Sequence, residues 1–97
     1  MRKERLKPMR INFVKNIHFT KLIKVNNRLR EFNFRKLKNV EKDLCTVDVS
    51  DDRGNRIMFH MHKDSGDWKI AEEALPKWIV ETEPVLNELI EEELKNS

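Results

Sequence analysis

Glycine, cysteine and tyrosine are scarce in this 97-residue chain, which contains two glycines, one cysteine and no tyrosine. Gly54 and Gly66 lie too far apart to build a glycine-rich phosphate-binding loop. Cys45 has no second cysteine with which to form an internal disulfide, a pattern typical of proteins in a reducing compartment. We therefore expect a cytoplasmic protein without a phosphate loop of this kind.

Long apolar runs are also missing. No stretch of 18 apolar residues occurs, and no apolar segment directly follows the charged residues 1–8, so we expect neither a membrane span nor a secretory signal. Apolar residues make up 38% of the chain and recur at regular spacings, which indicates a folded domain rather than disorder. The length suits one domain, so we predict a flexible basic arm at 1–8 and a single α+β domain at 9–97.

Charge is unevenly distributed along the chain. Residues 1–42 contain 14 lysines and arginines and three acids, a net charge of +11, whereas residues 43–97 have a net charge of −8. Such asymmetry is typical of a surface for nucleic acid, but it also arises when the two halves of one fold attract each other.

The clearest structural signal is a β-hairpin between Cys45 and Met61. Residues 45, 47 and 49 alternate with polar residues, as do residues 57, 59 and 61, and residues 51–55 supply a turn that contains Gly54. Pairing Val49 with Ile57 and Cys45 with Met61 makes one face wholly apolar, and a slip by one residue destroys that agreement.

A second hairpin is predicted from Ile17 to Leu37, with its turn at Asn26-Asn27. A four-residue loop at 26–29 pairs Ile23 with Phe32 and Lys24 with Glu31, which places apolar beside apolar and opposite charges together. A three-residue loop is the alternative. A short strand at Met9–Phe13 and another at Trp68–Ile70, after the turn at 64–67, extend the alternating pattern.

The C-terminal part of the chain is predicted to be helical. Apolar residues recur at spacings of three and four from Leu75 to Leu94, and Pro84 interrupts them. We expect a kink at Pro84, or two helices with Thr82 capping the second, and an outer face that carries the glutamates, including Glu83 and Glu91. The predicted fold is thus an antiparallel meander of four or five strands with this helix packed on one face.

No catalytic or metal-binding constellation is predicted. His60 and His62 share one face of their strand, but the hairpin register turns Cys45 to the other face, and a metal site needs three or four convergent ligands. Asp51, Asp52 and Asn55 lack the spacing of a calcium loop and suit a turn. Cys45 has no neighbouring base and is expected to be a buried, inert thiol. We expect no enzyme activity, no cofactor and no bound metal.

The main functional hypothesis is a binding domain that mediates protein–protein association, including association with a second copy. The face opposite the helix would carry a semi-apolar strip formed by Leu44, Thr46, Met58, His60 and His62.

The alternative hypothesis is binding of single-stranded DNA or RNA through the basic first hairpin. Cations for phosphates and aromatic rings for base stacking are what such a platform requires. The residues that would form it are Lys21, Lys24, Arg28, Arg30, Phe32, Phe34, Arg35, Lys36 and Lys38. The hypothesis depends on Phe32 and Phe34 lying on the solvent side of the sheet.

Overall fold

The computed structural model describes residues 16–37 and 43–96. The predicted arm at 1–8 and the predicted strand at Met9–Phe13 lie outside the described residues. The elements in chain order are β1 (Asn16–Val25), β2 (Arg28–Leu37), β3 (Leu44–Ser50), β4 (Arg56–Asp64), β5 (Asp67–Ile70), α1 (Lys77–Val80) and α2 (Glu83–Lys95). The strands form one antiparallel sheet in the order β1-β2-β3-β4-β5, which confirms the predicted α+β meander with a C-terminal helix.

The β3–β4 hairpin has the predicted register. Val49 pairs with Ile57, Val47 with Phe59 and Cys45 with Met61. In the turn, Oδ1 of Asp51 accepts the backbone N–H groups of Arg53 (2.9 Å) and Asn55 (2.8 Å), and Gly54 adopts a φ of 83°. These aspartate contacts are those of a turn, as the sequence predicted.

The predicted register of the β1–β2 hairpin is wrong by two residues. The loop consists only of Asn26 and Asn27, whose φ angles of 52° and 66° are left-handed, as a type I′ turn requires. Ile23 therefore pairs with Arg30, and Lys21 with Phe32. Because the shift is even, the predicted faces survive although the predicted partners do not.

The helical region is divided at Glu81 and Thr82, and Pro84 lies in the first turn of α2. A proline is tolerated there because the first N–H groups of a helix have no intrahelical acceptor. Thr82 occupies the predicted capping position, but its hydroxyl donates to the carbonyl oxygen of Ile79 instead of accepting an N–H of α2.

The core lies between the sheet and the helices. Phe32, Phe34, Phe59 and Trp68 are buried, and Phe19 stacks on Phe34 with ring centroids 4.5 Å apart. The other buried apolar residues are Ile23, Val25, Cys45, Val47, Val49, Met61, Ile79, Leu86 and Ile90. Burial of a large apolar side chain contributes about 1.5–3 kcal/mol, so these residues supply most of the driving force for folding.

Candidate functional site

The edge of the sheet at β5 is closed by side chains of α2. The backbone N–H of Trp68 donates to Oδ1 of Asn87 (2.7 Å), and the N–H of Ile70 donates to Oε2 of Glu83 (2.8 Å). Both N–H groups lie on the side of β5 away from β4, where a further strand would add. The helix therefore occupies the two N–H groups to which a sixth strand would have to bond.

Glu91 completes this closure one helical turn after Asn87. Its Oε2 accepts the indole N–H of Trp68 (2.8 Å) and lies 3.0 Å from Nζ of Lys63. The Lys63 ammonium, aided by the Trp68 N–H, holds the pKa of the Glu91 carboxyl below its usual range. The carboxylate thus ties α2 to both β4 and β5.

The edge at β1 differs from the edge at β5. Residues that flank a two-residue turn form a hydrogen-bonded pair, so the backbone groups of Val25, and of every second residue before it, point to β2. The backbone N–H and C=O groups of His18, Thr20, Leu22 and Lys24 consequently point outward. Within residues 16–37 and 43–96, no strand pairs with this side of β1.

Two leucines lie beside the open edge, on the face opposite the helix. Leu22 is 65% exposed and Leu29 is 67% exposed, more than any other large apolar side chain in the described part of the chain. They occupy diagonal positions on β1 and β2, since Leu22 pairs with Glu31 and Lys24 pairs with Leu29. An apolar surface thus adjoins a row of backbone groups with which no described strand pairs.

Phe32 and Phe34, the proposed base-stacking residues, are fully buried in the core. Neither ring can stack on a nucleic-acid base, so the aromatic part of the nucleic-acid hypothesis is wrong. The period-2 spacing correctly predicted that the two rings share one face of the sheet. That face is the one that the helix covers.

The predicted cationic residues are dispersed over both faces of the sheet. Lys24 and Arg35 are exposed on the face opposite the helix, whereas Lys21, Arg28, Arg30 and Lys36 are on the helix face. Lys36 is buried, with Nζ 3.8 Å from Asp43, and Lys21 lies 3.9 Å from Glu93. Lys38 lies outside the described residues. The set does not form one basic surface.

Arg30 has a structural environment that the sequence did not reveal. Its guanidinium lies 4.4 Å from the centroid of a Trp78 ring and 2.6 Å from Oδ1 of Asp52. Arg28 contacts the same carboxylate oxygen at 2.8 Å, and the hydrogen bond from Arg30 lowers the pKa of Asp52. Arg30 is therefore held by an internal carboxylate and an aromatic ring, and it lines a groove of about 390 Å³ between β2 and the β3–β4 turn.

The predicted semi-apolar strip exists as a surface. Leu44 pairs with His62 and Thr46 with His60, and Met58 follows on the same face. Leu44 and Met58 are exposed, while Thr46 and His62 are half-buried. His60 is engaged, because its Nδ1 lies 2.7 Å from Oε2 of Glu72 and its backbone N–H donates to the other oxygen. Burial raises the pKa of the Glu72 carboxyl, but the hydrogen bonds from His60 lower it by more, so that the net effect is a decrease.

The remaining reactive groups offer no catalytic arrangement in the described ranges. Cys45 is buried, and burial raises the pKa of its thiol to about 11, so it is not a thiolate at neutral pH. Across residues 16–37 and 43–96, no three His, Cys, Asp or Glu side chains converge as a metal site would require.

Comparison with protein-family models, with curated proteins and with solved structures found no match to this chain. In the ranges 16–37 and 43–96, no helix is long and apolar enough to cross a bilayer. The geometry of the two sheet edges is therefore the basis for inferring function.

The closure of the β5 edge could have been detected in the sequence. Glu83, Asn87 and Glu91 recur every four residues and so share one stripe of a helix. The sequence prediction that Glu83 and Glu91 belong to an outer, solvated face is wrong, because both face β5. The feature that predicts the closure is the four-residue spacing of hydrogen-bond acceptor side chains, and a search for apolar periodicity does not detect it.

Proposed function

We propose that this protein is a non-enzymatic protein-association domain that accepts an extended segment of a partner as an additional strand beside β1. The observation that carries the proposal is the row of outward backbone groups on β1, together with the closure of the opposite edge by α2. Strand addition to an exposed sheet edge is a recurrent mode of peptide recognition.

The backbone and the adjacent leucines supply different parts of such an interaction. Each of the outward residues His18, Thr20, Leu22 and Lys24 offers one N–H and one C=O, and a protein hydrogen bond contributes about 0.5–1.5 kcal/mol net. Leu22 and Leu29 add apolar area next to the seam. Immobilising a flexible partner opposes these gains, which favours a reversible association.

The experiment that tests the proposal is a proline substitution at the edge. Leu22→Pro removes an outward N–H, and proline is tolerated on edge strands, so the fold should persist. Peptides selected from a random library on the unmodified full chain should lose at least tenfold in affinity for Leu22→Pro. Leu22→Ala, which keeps the N–H, separates the backbone contribution from the side chain.

A rival surface is tested with the same peptides. Met58→Lys alters the semi-apolar strip and leaves β1 unchanged. Selected peptides that bind Leu22→Pro normally but lose affinity for Met58→Lys would place the association on the strip and contradict the β1 proposal.

Phosphate binding by exposed cations such as Lys24 and Arg35 is tested separately. Labelled single-stranded DNA and RNA are titrated at about 50 and 200 mM salt, since phosphate-driven binding weakens steeply over that range. No binding at the lower salt concentration would end the nucleic-acid hypothesis.

A further inference from the structure

We infer that the segment added to β1 is acidic, with two carboxylate side chains three residues apart. The inference rests on the proposed function and specifies the chemistry of the partner. It follows from the charges that border the β1 edge and from the carboxylate partners that three other cations of the hairpin already have.

The open strand carries positive charge only. Between Asn16 and Val25 there are two lysines, Lys21 and Lys24, and no acid. Lys21 is on the helix face and Lys24 on the opposite face, because side chains alternate along a strand. Residues of an added strand that lie opposite these lysines are also three apart and point to opposite faces. One carboxylate on each face would therefore meet one lysine.

Lys24 at the edge differs from three cations of β2 that have carboxylate partners within the protein. Arg28 and Arg30 share Asp52, and Lys36 lies near Asp43. Lys24 has no ion pair within the described ranges, whereas Lys21 has one carboxylate partner there, Glu93 of α2 at 3.9 Å. A carboxylate opposite Lys24 thus gains a pairing that the described part of the chain does not already provide, and a carboxylate opposite Lys21 would share that lysine with Glu93.

A second copy of the chain is a poorer occupant of the same edge. Pairing β1 with another β1 would bring two copies of Lys21 and Lys24 into one seam without any carboxylate on either strand. Like charges that face each other across strands are destabilising, and lysines on edge strands discourage self-pairing. The two lysines therefore favour an acidic partner over self-association.

Three blocked octapeptides test the inference on the full chain by fluorescence anisotropy. The acidic probe is Thr-Val-Glu-Ile-Thr-Glu-Val-Thr, and its matched probes have glutamine or lysine in place of both glutamates. We expect the acidic probe to bind about tenfold more tightly than the glutamine probe and the lysine probe to bind weakest. The preference should shrink as salt is raised.

A charge reversal at the edge supplies the control. Lys24→Glu should abolish the preference for the acidic probe over the lysine probe, because the introduced carboxylate repels one probe glutamate while Lys21 still attracts the other. Lys69→Glu, the same change at an exposed position of β5, should leave the preference unaltered. Equal binding of the acidic and glutamine probes, with both lost in Leu22→Pro, would overturn the inference and leave the proposed function standing. Probe binding that Leu22→Pro does not weaken would contradict the proposed function itself.

Two other occupants would also be revealed. Light scattering that gives twice the 11.7 kDa chain mass, reduced to the monomer by Leu22→Pro, would identify a second copy as the occupant and overturn the inference. A peptide with the sequence of residues 9–13 is the other probe. If it binds more tightly than the acidic probe, the occupant of the edge is the chain's own N-terminal segment, and the inference is overturned.

Discussion

The two edge strands of this sheet face the same physical problem in different ways. A strand at an edge presents N–H and C=O groups that can pair with another chain, and proteins usually cover or charge such edges. Three side chains of α2 cover β5, whereas β1 retains ten residues of regular strand beside two exposed leucines. Within residues 16–37 and 43–96, α2 closes one edge and no strand pairs with the other, whose charged side chains are two lysines; this contrast is the basis of the proposed strand addition.

The largest effect is expected when the anchor of the closed edge is removed. Trp68→Ala deletes a fully buried indole and its bond to Glu91, and should lower the free energy of unfolding by about 3–5 kcal/mol. Trp68→Phe keeps most of the buried area and should cost far less. Urea denaturation measures both, with Lys69→Ala as the exposed control within about 0.5 kcal/mol.

A smaller loss of stability is expected when α2 stays in place but loses one hydrogen-bond acceptor for β5. Asn87→Ala leaves the backbone N–H of Trp68 without its partner and should cost about 1–3 kcal/mol. The amide of Trp68 should then exchange with solvent faster, and the protein should aggregate more readily on heating. Glu88→Ala, on the exposed side of the same helix, is the matched control. An unchanged exchange rate at Trp68 in Asn87→Ala would show that the helix does not close this edge.

The smallest expected effect is the pH dependence of stability that arises from Glu91 at the β5 edge. The pKa of Glu91 is lower in the folded protein than in the unfolded chain, where it is about 4.3. Its contribution to stability is therefore complete above the unfolded pKa and is lost as the pH falls through the folded pKa. The urea midpoint of the unmodified protein should fall more between pH 7 and pH 3 than that of Glu91→Gln. Glu88→Gln, with the same change in charge, should follow the unmodified protein.

Sequence patterns predicted the meander and one hairpin because the information there is local. The alternation at 45–49 and 57–61, with a five-residue turn, defines one register in which a whole face is apolar. The β1–β2 register was missed because Ile23 lies opposite Arg30, a pairing that pattern rules reject. The guanidinium of Arg30 packs on the ring of Trp78, which is far away along the chain, so local sequence patterns could not predict that contact.

The candidate site was harder to predict than the fold. An open edge is defined by which strand is outermost and by what covers its backbone, and both depend on tertiary contacts. The leucines and lysines beside the β1 edge are visible in the sequence. The side chains of Glu83, Asn87 and Glu91 become informative only when their contacts with β5 are known.

The order of the strands has a kinetic consequence. Each of the five described strands pairs with its neighbour in the sequence, so the sheet can grow by successive short loop closures, which favours rapid folding. The bonds from α2 to β5 span 13 to 23 residues, and they require that β5 is already in place. Between sheet formation and helix docking, both edges would be open, so the speed of docking would set how long the folding chain is exposed to aggregation.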